Sequence, residues 1–333
     1  VFGATSQRGD GRDLGHDARM DRLLLPSALE GAHRVLLAGA GGGYDVYATL
    51  PLLAALEARG AEVILANLSF TYLGGTDAPR LTPSLYRVSA SSDGPYDYFP
   101  ERTLARFLES AGRARPIYAI EKVGVVPVRE AYRTLVERHA IEAIVLVDGG
   151  TDLLMRGDEE RLGTPQEDAT SLAAIARLEG LVKLAVCVGF GIDHHHGVSH
   201  ALFLENVAAL ARAGGLLGTQ SLLASMPEAQ LYLEAVAHAE RTAPKATSIV
   251  NTSIASAIEG HFGDHHRTER TRGGELFINP LMAMLWAFDL EAVARANLYL
   301  RALEGTESIF DVEDVIELFR ERVQRRPARP IPH

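Results

Sequence analysis

Three short apolar runs, Arg34–Ala38, Ile141–Val147 and Leu184–Val188, each lead into a glycine-containing turn that carries acidic or imidazole side chains. Runs of this length bounded by glycine read as buried strands, because a helix needs a longer apolar-periodic stretch. Glu62–Leu68 and Pro116–Ile120 are further strand candidates. Segments with helical apolar spacing lie between them at Thr49–Arg59, Thr103–Glu109, Glu130–Arg138 and Ala169–Leu178. The alternation predicts an α/β fold with a Rossmann-like open, mostly parallel sheet.

Beyond residue 200 the pattern turns helical, at Ala201–Ala213, Pro227–Glu240, Leu281–Arg301 and Asp311–Val323, with one more strand expected at Ser248–Thr252. This predicts helical elaboration toward the C-terminus. Thr71–Pro100 is longer than an ordinary connection and reads as a substrate lid or a dimer arm. Neither a repeat nor a low-complexity linker divides the chain, so residues 23–324 are expected to form a single compact α/β domain. Residues 1–22 read as a polar N-terminal arm and 325–333 as a loose tail.

A chain of 333 residues with 47% apolar composition can bury a large core. Its net charge of -10, with three lysines among 33 basic residues, argues against nonspecific binding to nucleic acid or anionic membrane. The expected partners are a small-molecule substrate and copies of the same chain. No run of eighteen apolar residues and no basic-then-apolar leader is present, so a membrane span and export are not expected. The lone Cys187, inside an apolar run, is assigned to packing and is compatible with a cytoplasmic location.

The third run ends in Val186–His200, which presents Asp193, His194, His195, His196 and His200 within eight residues. Imidazole ligates metals and titrates near neutrality, so Asp193 and His195 are candidate catalytic groups. Neighbouring side chains diverge, so the three consecutive histidines cannot all face one centre. Without a His-Glu-x-x-His helix or a cysteine cluster, the expected metal site is a mixed one, Asp193 with His195 supplemented by Asp148 or His261, for Zn, Mn or Fe.

The first turn, Gly39–Asp45, carries Gly41, Gly42 and Gly43 at a helix start, where backbone N–H groups can receive a phosphate or carboxylate. Its spacing departs from the Gly-x-Gly-x-x-Gly fingerprint, and Asp45 either caps the helix or acts through a cation or sugar hydroxyl. The middle turn, Asp148-Gly149-Gly150-Thr151-Asp152, offers Asp148 and Asp152 to a hard cation or ribose hydroxyls, or uses them as turn caps. Asn251 could orient a substrate or cap a helix, and His261 or His265 could transfer a proton or simply face solvent. Lys122 could bind phosphate, whereas Ser199 and Ser253 lack a nucleophile-elbow frame. If the three strands run parallel, their turns converge on one pocket.

The segments Ala38–Asp45 and Val147–Asp152, with the later His-rich strand exit, resemble an uncharacterised bacterial and archaeal family designated domain of unknown function 1152, across most of residues 34–315. The resemblance implies a Rossmann-like fold and no particular substrate. The residues themselves suggest a small-molecule hydrolase or group-transfer enzyme for a polar, phosphorylated or nucleoside-like substrate. The alternative is a non-catalytic regulatory protein that binds a nucleotide-like metabolite. The apolar stretch Leu281–Phe288 is expected in the core or at a homo-oligomer contact.

Overall fold

The computed structural model describes residues 22–274 and 276–331, so most of the expected N-terminal arm and the last two residues of the expected tail lie outside the described residues. Strand β1 (Arg34–Gly39) leads through α1 (Asp45–Ala48) and α2 (Leu50–Ala58) to β2 (Glu62–Ser69). The hairpin β3 (Arg80–Thr82) and β4 (Leu85–Val88), then α3 (Pro100–Ser110), precede β5 (Ile117–Glu121). Helix α4 (Val125–His139), β6 (Ala143–Asp148), α5 (Pro165–Ala176), β7 (Val182–Cys187), α6 (His200–Arg212) and β8 (Leu216–Ser221) continue the alternation. Helices α7 (Pro227–Thr242) and α8 (Ile249–Ile258) are followed by a small hairpin, β9 (Gly263–Asp264) with β10 (Phe277–Ile278). Strand β11 (Met284–Asp289) and helices α9 (Leu290–Ala296), α10 (Leu300–Leu303) and α11 (Ile309–Arg322) complete the fold.

The main sheet has nine strands in the order β3-β4-β5-β2-β1-β6-β7-β11-β8. Its five central strands run parallel, while β3 and β4 at one edge and β11 and β8 at the other pair antiparallel. The sheet is therefore mixed, which corrects the expectation of a mostly parallel one. Thr71–Pro100, expected as a lid or arm, contributes the β3–β4 hairpin, whose short link suits antiparallel pairing.

Period-two alternation divides the core. Val35 and Leu37 of β1 face the layer built from α2, α3, α7 and α8, whereas Leu36 and Ala38 face α4, α5, α6, α9, α10 and α11. Proline opens α3, α5 and α7, where its missing N–H is no loss. Ser199, Ser248 and Ser308 cap α6, α8 and α11.

Two expected elements are corrected. Ser248–Thr252 starts helix α8 instead of forming a strand, because the Ser248 hydroxyl accepts from the Asn251 N–H. Leu281–Arg301, expected as one helix, holds strand β11 between β7 and β8 before α9 begins under an Asp289 cap. Insertion into the sheet accounts for its apolar character and removes that argument for a homo-oligomer contact. Arg326, within the expected tail, pairs with Asp158, Glu159 and Glu205.

From β1 the chain moves to β2 on one side and later returns to β6 on the other. The crevice at such a reversal, beyond the carboxyl ends of the strands, is where open α/β sheets receive ligands.

Candidate functional site

A cleft of about 1160 Å³ occupies this position. The turns after β1, β2, β5 and β6 line it, together with the start of α5, Asp193 and His196 after β7, Ser248–Val250 and Arg270. Its floor is acidic. Asp148 is the last residue of β6 and is delivered there by the strand itself.

Asp45 opens α1, and its Oδ2 accepts a hydrogen bond from the Gly41 N–H at 2.6 Å. Asp148 Oδ2 accepts from the Leu153 N–H at 3.1 Å. Asp168 comes from the first turn of α5, where unsatisfied N–H groups favour negative charge. Its Oδ1 is buried and has no hydrogen-bond partner among the described residues. Asp45, Asp148 and Asp168 each offer an oxygen, and these three atoms all lie within 4.8 Å of one another. One cation can span that arrangement. An all-oxygen set suits a hard ion such as Mg²⁺, Mn²⁺ or Ca²⁺ better than the Zn or Fe considered with a histidine ligand.

Glycine makes the convergence sterically feasible. A Cβ on Gly41 would stand 2.8 Å from Asp168 Oδ2 and 2.9 Å from Asp45 Oδ2. On Gly150 it would meet Asp193 Oδ2 at 2.7 Å and Asp148 Oδ1 at 3.0 Å. The anion cradle expected of Gly41–Gly43 is compromised, because the Gly41 N–H serves Asp45 and the Gly43 N–H donates to the Leu68 carbonyl.

Burial, followed by neighbouring carboxylates, raises the pKa of Asp148 and Asp168 well above the ordinary range. Asp45, half-buried, is pushed up to about 7, mainly by desolvation, while the Gly41 hydrogen bond partly offsets the rise. Two ionised carboxylates about 4 Å apart repel by roughly 4 kcal/mol at the effective dielectric of such sites. The cluster must therefore hold protons or a cation.

Asp193 accepts from the Thr151 N–H at 2.6 Å and the Thr151 hydroxyl at 3.1 Å; burial nevertheless raises its pKa. Asp152 faces the cleft and accepts from the Thr164 N–H at 2.8 Å. Lys122 lines the cleft while paired with Glu167.

The histidines are placed differently from the expectation. His196 lines the cleft, but His195 is exposed and is not among the lining residues. His194 stacks on His200 at 5.0 Å. His261 lies outside the lining, stacked on His265 at 3.8 Å. Asn251 is buried in a structural network: its amide donates to the Tyr44 carbonyl at 3.1 Å, and its Oδ1 accepts from the Tyr232 hydroxyl at 2.8 Å.

The model of the family described as "Protein of unknown function (DUF1152)" matches residues 84–320. The chain belongs to the DUF1152 family. Asp148, Asp152, Asp168 and Asp193 fall within the matched part of this DUF1152 protein, while Gly41–Asp45 precede it. No curated protein and no solved structure matches the chain.

Asp168 is not among the residues expected from the sequence. The expected helix began at Ala169, whereas α5 starts at Pro165. Thr164-Pro165 followed by acidic Glu167 and Asp168 is a legible helix start, since proline suits the first position and carboxylates suit the first turn.

Proposed function

We propose that this DUF1152 protein is a divalent-cation-dependent hydrolase or group-transfer enzyme acting on a small, polar, phosphorylated substrate. The observation that carries the reading is the buried Asp168 Oδ1, which has no hydrogen-bond partner among the described residues, beside Asp45 and Asp148. A buried carboxylate oxygen without a donor is costly unless a proton or cation meets it.

In this reading Asp45, Asp148 and Asp168 would hold Mg²⁺ or Mn²⁺ through oxygen. When bound, the ion supplies charge neutralisation on substrate oxygens and acidifies water. Asp193, aimed by Thr151, receives the proton of the attacking water or hydroxyl. Lys122 and Arg270, both on the cleft wall, offer positive charge to an anionic substrate.

Calorimetric titration with Mn²⁺, combined with a turnover screen of phosphorylated metabolites with and without Mg²⁺, tests the proposal. Cation binding and cation-dependent turnover, both lost in Asp168→Asn, are the expected results. Turnover that survives chelation and Asp168→Asn would overturn it, as would a bound metabolite recovered unchanged with no cation dependence.

A further inference from the structure

Two aromatic rings on the wall of this cleft remain open. Phe70 and Tyr72 follow the carboxyl end of β2, and they are 47% and 64% exposed. Scattered exposed apolar side chains are ordinary, but these two share a backing that isolated surface aromatics do not need.

Each ring lies against a pair of glycines. A Cβ on Gly42 would stand 2.9 Å from Phe70 Cε1, and one on Gly43 would stand 3.2 Å from Phe70 Cδ2. These contacts reach opposite edges of the ring, so it lies across the Gly42–Gly43 backbone. A Cβ on Gly75 would meet Tyr72 Cδ1 at 2.7 Å, and one on Gly74 would meet Tyr72 Cε2 at 3.7 Å. Tyr72 is backed in the same manner. Gly42 and Gly43 also have φ of 87° and 59°, a region that other residues adopt only with strain.

Glycine backbone against each ring leaves the rest of Phe70 and Tyr72 exposed toward the cleft. The Lys122 ammonium, which also pairs with Glu167, lies over the Phe70 ring at 5.3 Å from its centroid, so a cation sits at the platform itself. Gly41, the next residue before the Phe70 support, touches the carboxylate cluster, so the platform and the acidic floor adjoin.

We propose that Phe70 and Tyr72 form a stacking subsite for the flat heteroaromatic ring of a nucleotide, with its phosphate directed toward Lys122 and the carboxylate cluster. The class of ligand follows from chemistry: a π-face for a base, an ammonium for an anion, and oxygens that could hold its counterion. The proposal rests on the functional reading above for the phosphate and cation, and on Phe70 and Tyr72 alone for the ring.

Calorimetric titration of the full chain with AMP, GMP, CMP and UMP, compared with ribose 5-phosphate, isolates the ring; each is titrated with and without Mg²⁺. At least one nucleotide should bind about tenfold more tightly than ribose 5-phosphate, a difference set by the usual strength of base stacking. Phe70→Leu and Tyr72→Leu should reduce that advantage while leaving ribose 5-phosphate and Mn²⁺ binding unchanged, and Phe70→Tyr should retain it. Equal binding of all five compounds, or no binding of any, would overturn the subsite, as would an advantage intact in both leucine variants. If the variants do not fold, the wild-type comparison decides. Failure to bind Mn²⁺ would refute the cation reading and leave a measured ring preference standing.

Discussion

Asp45 Oδ2 accepts the Gly41 N–H at 2.6 Å, and the absence of a side chain on Gly41 leaves room for Asp168 Oδ2 beside it. One glycine thus both aims one carboxylate and admits another. The turn after β1 assembles an acidic floor through backbone geometry.

Gly41→Ala places a methyl group 2.8 Å from Asp168 Oδ2 and 2.9 Å from Asp45 Oδ2, so one carboxylate must move. Mn²⁺ affinity should fall by about tenfold or more, corresponding to about 1.4 kcal/mol, with circular dichroism unchanged. Unaltered affinity measured by calorimetry would remove Gly41 from the site.

Asp168→Asn keeps the shape of the side chain and removes a buried carboxyl whose ionisation burial and neighbouring carboxylates oppose. In the absence of divalent cations at pH 8, the variant should melt about 1–2 °C higher than wild type, as expected for roughly 1 kcal/mol in a domain of this size. Added Mn²⁺ should stabilise wild type more than the variant. Paired thermal melts with and without cation check both directions.

Asp45 has a folded-state pKa of about 7 against an ordinary value of 3.8. Its contribution is fully present below about pH 4, diminishes as the unfolded form ionises, and is lost by the time pH has risen through about 7. The cation-free protein should therefore lose this contribution between pH 4 and pH 7, whereas Mn²⁺ affinity should rise over the same range. Below pH 7 the rise should approach tenfold per pH unit for each proton displaced. Calorimetry in buffers of different ionisation enthalpy measures the proton release directly, and affinity independent of pH would contradict the assignment.

His195 and His261 lie outside the cleft lining, so His195→Ala and His261→Ala should leave cation binding and any turnover within about twofold of wild type. Surface substitutions usually change stability by no more than about 0.5 kcal/mol. A tenfold loss in either variant would return the histidine-rich turn to the chemistry.

Helices with plain apolar spacing were legible in the sequence, and α6, α7 and α11 lie close to their expected bounds. The apolar runs at β1, β6 and β7 were legible as strands for the same local reason. Met284–Asp289 was not, because a short apolar run has no period that separates a buried strand from a helix; its place between β7 and β8 depends on partners distant in the chain.

The sequence by itself determined the α/β alternation, the acidic character of the chain and the glycine turns at the strand exits, since these depend on local spacing, composition and backbone freedom. Only the tertiary structure decided which carboxylates meet. Asp45, Asp148 and Asp168 are far apart in the chain, and strand order, the start of α5 and the bare backbone of Gly41 bring their oxygens together. The same packing leaves His195 on the surface, because membership in a site depends on the direction of a side chain, which adjacency in the sequence does not fix.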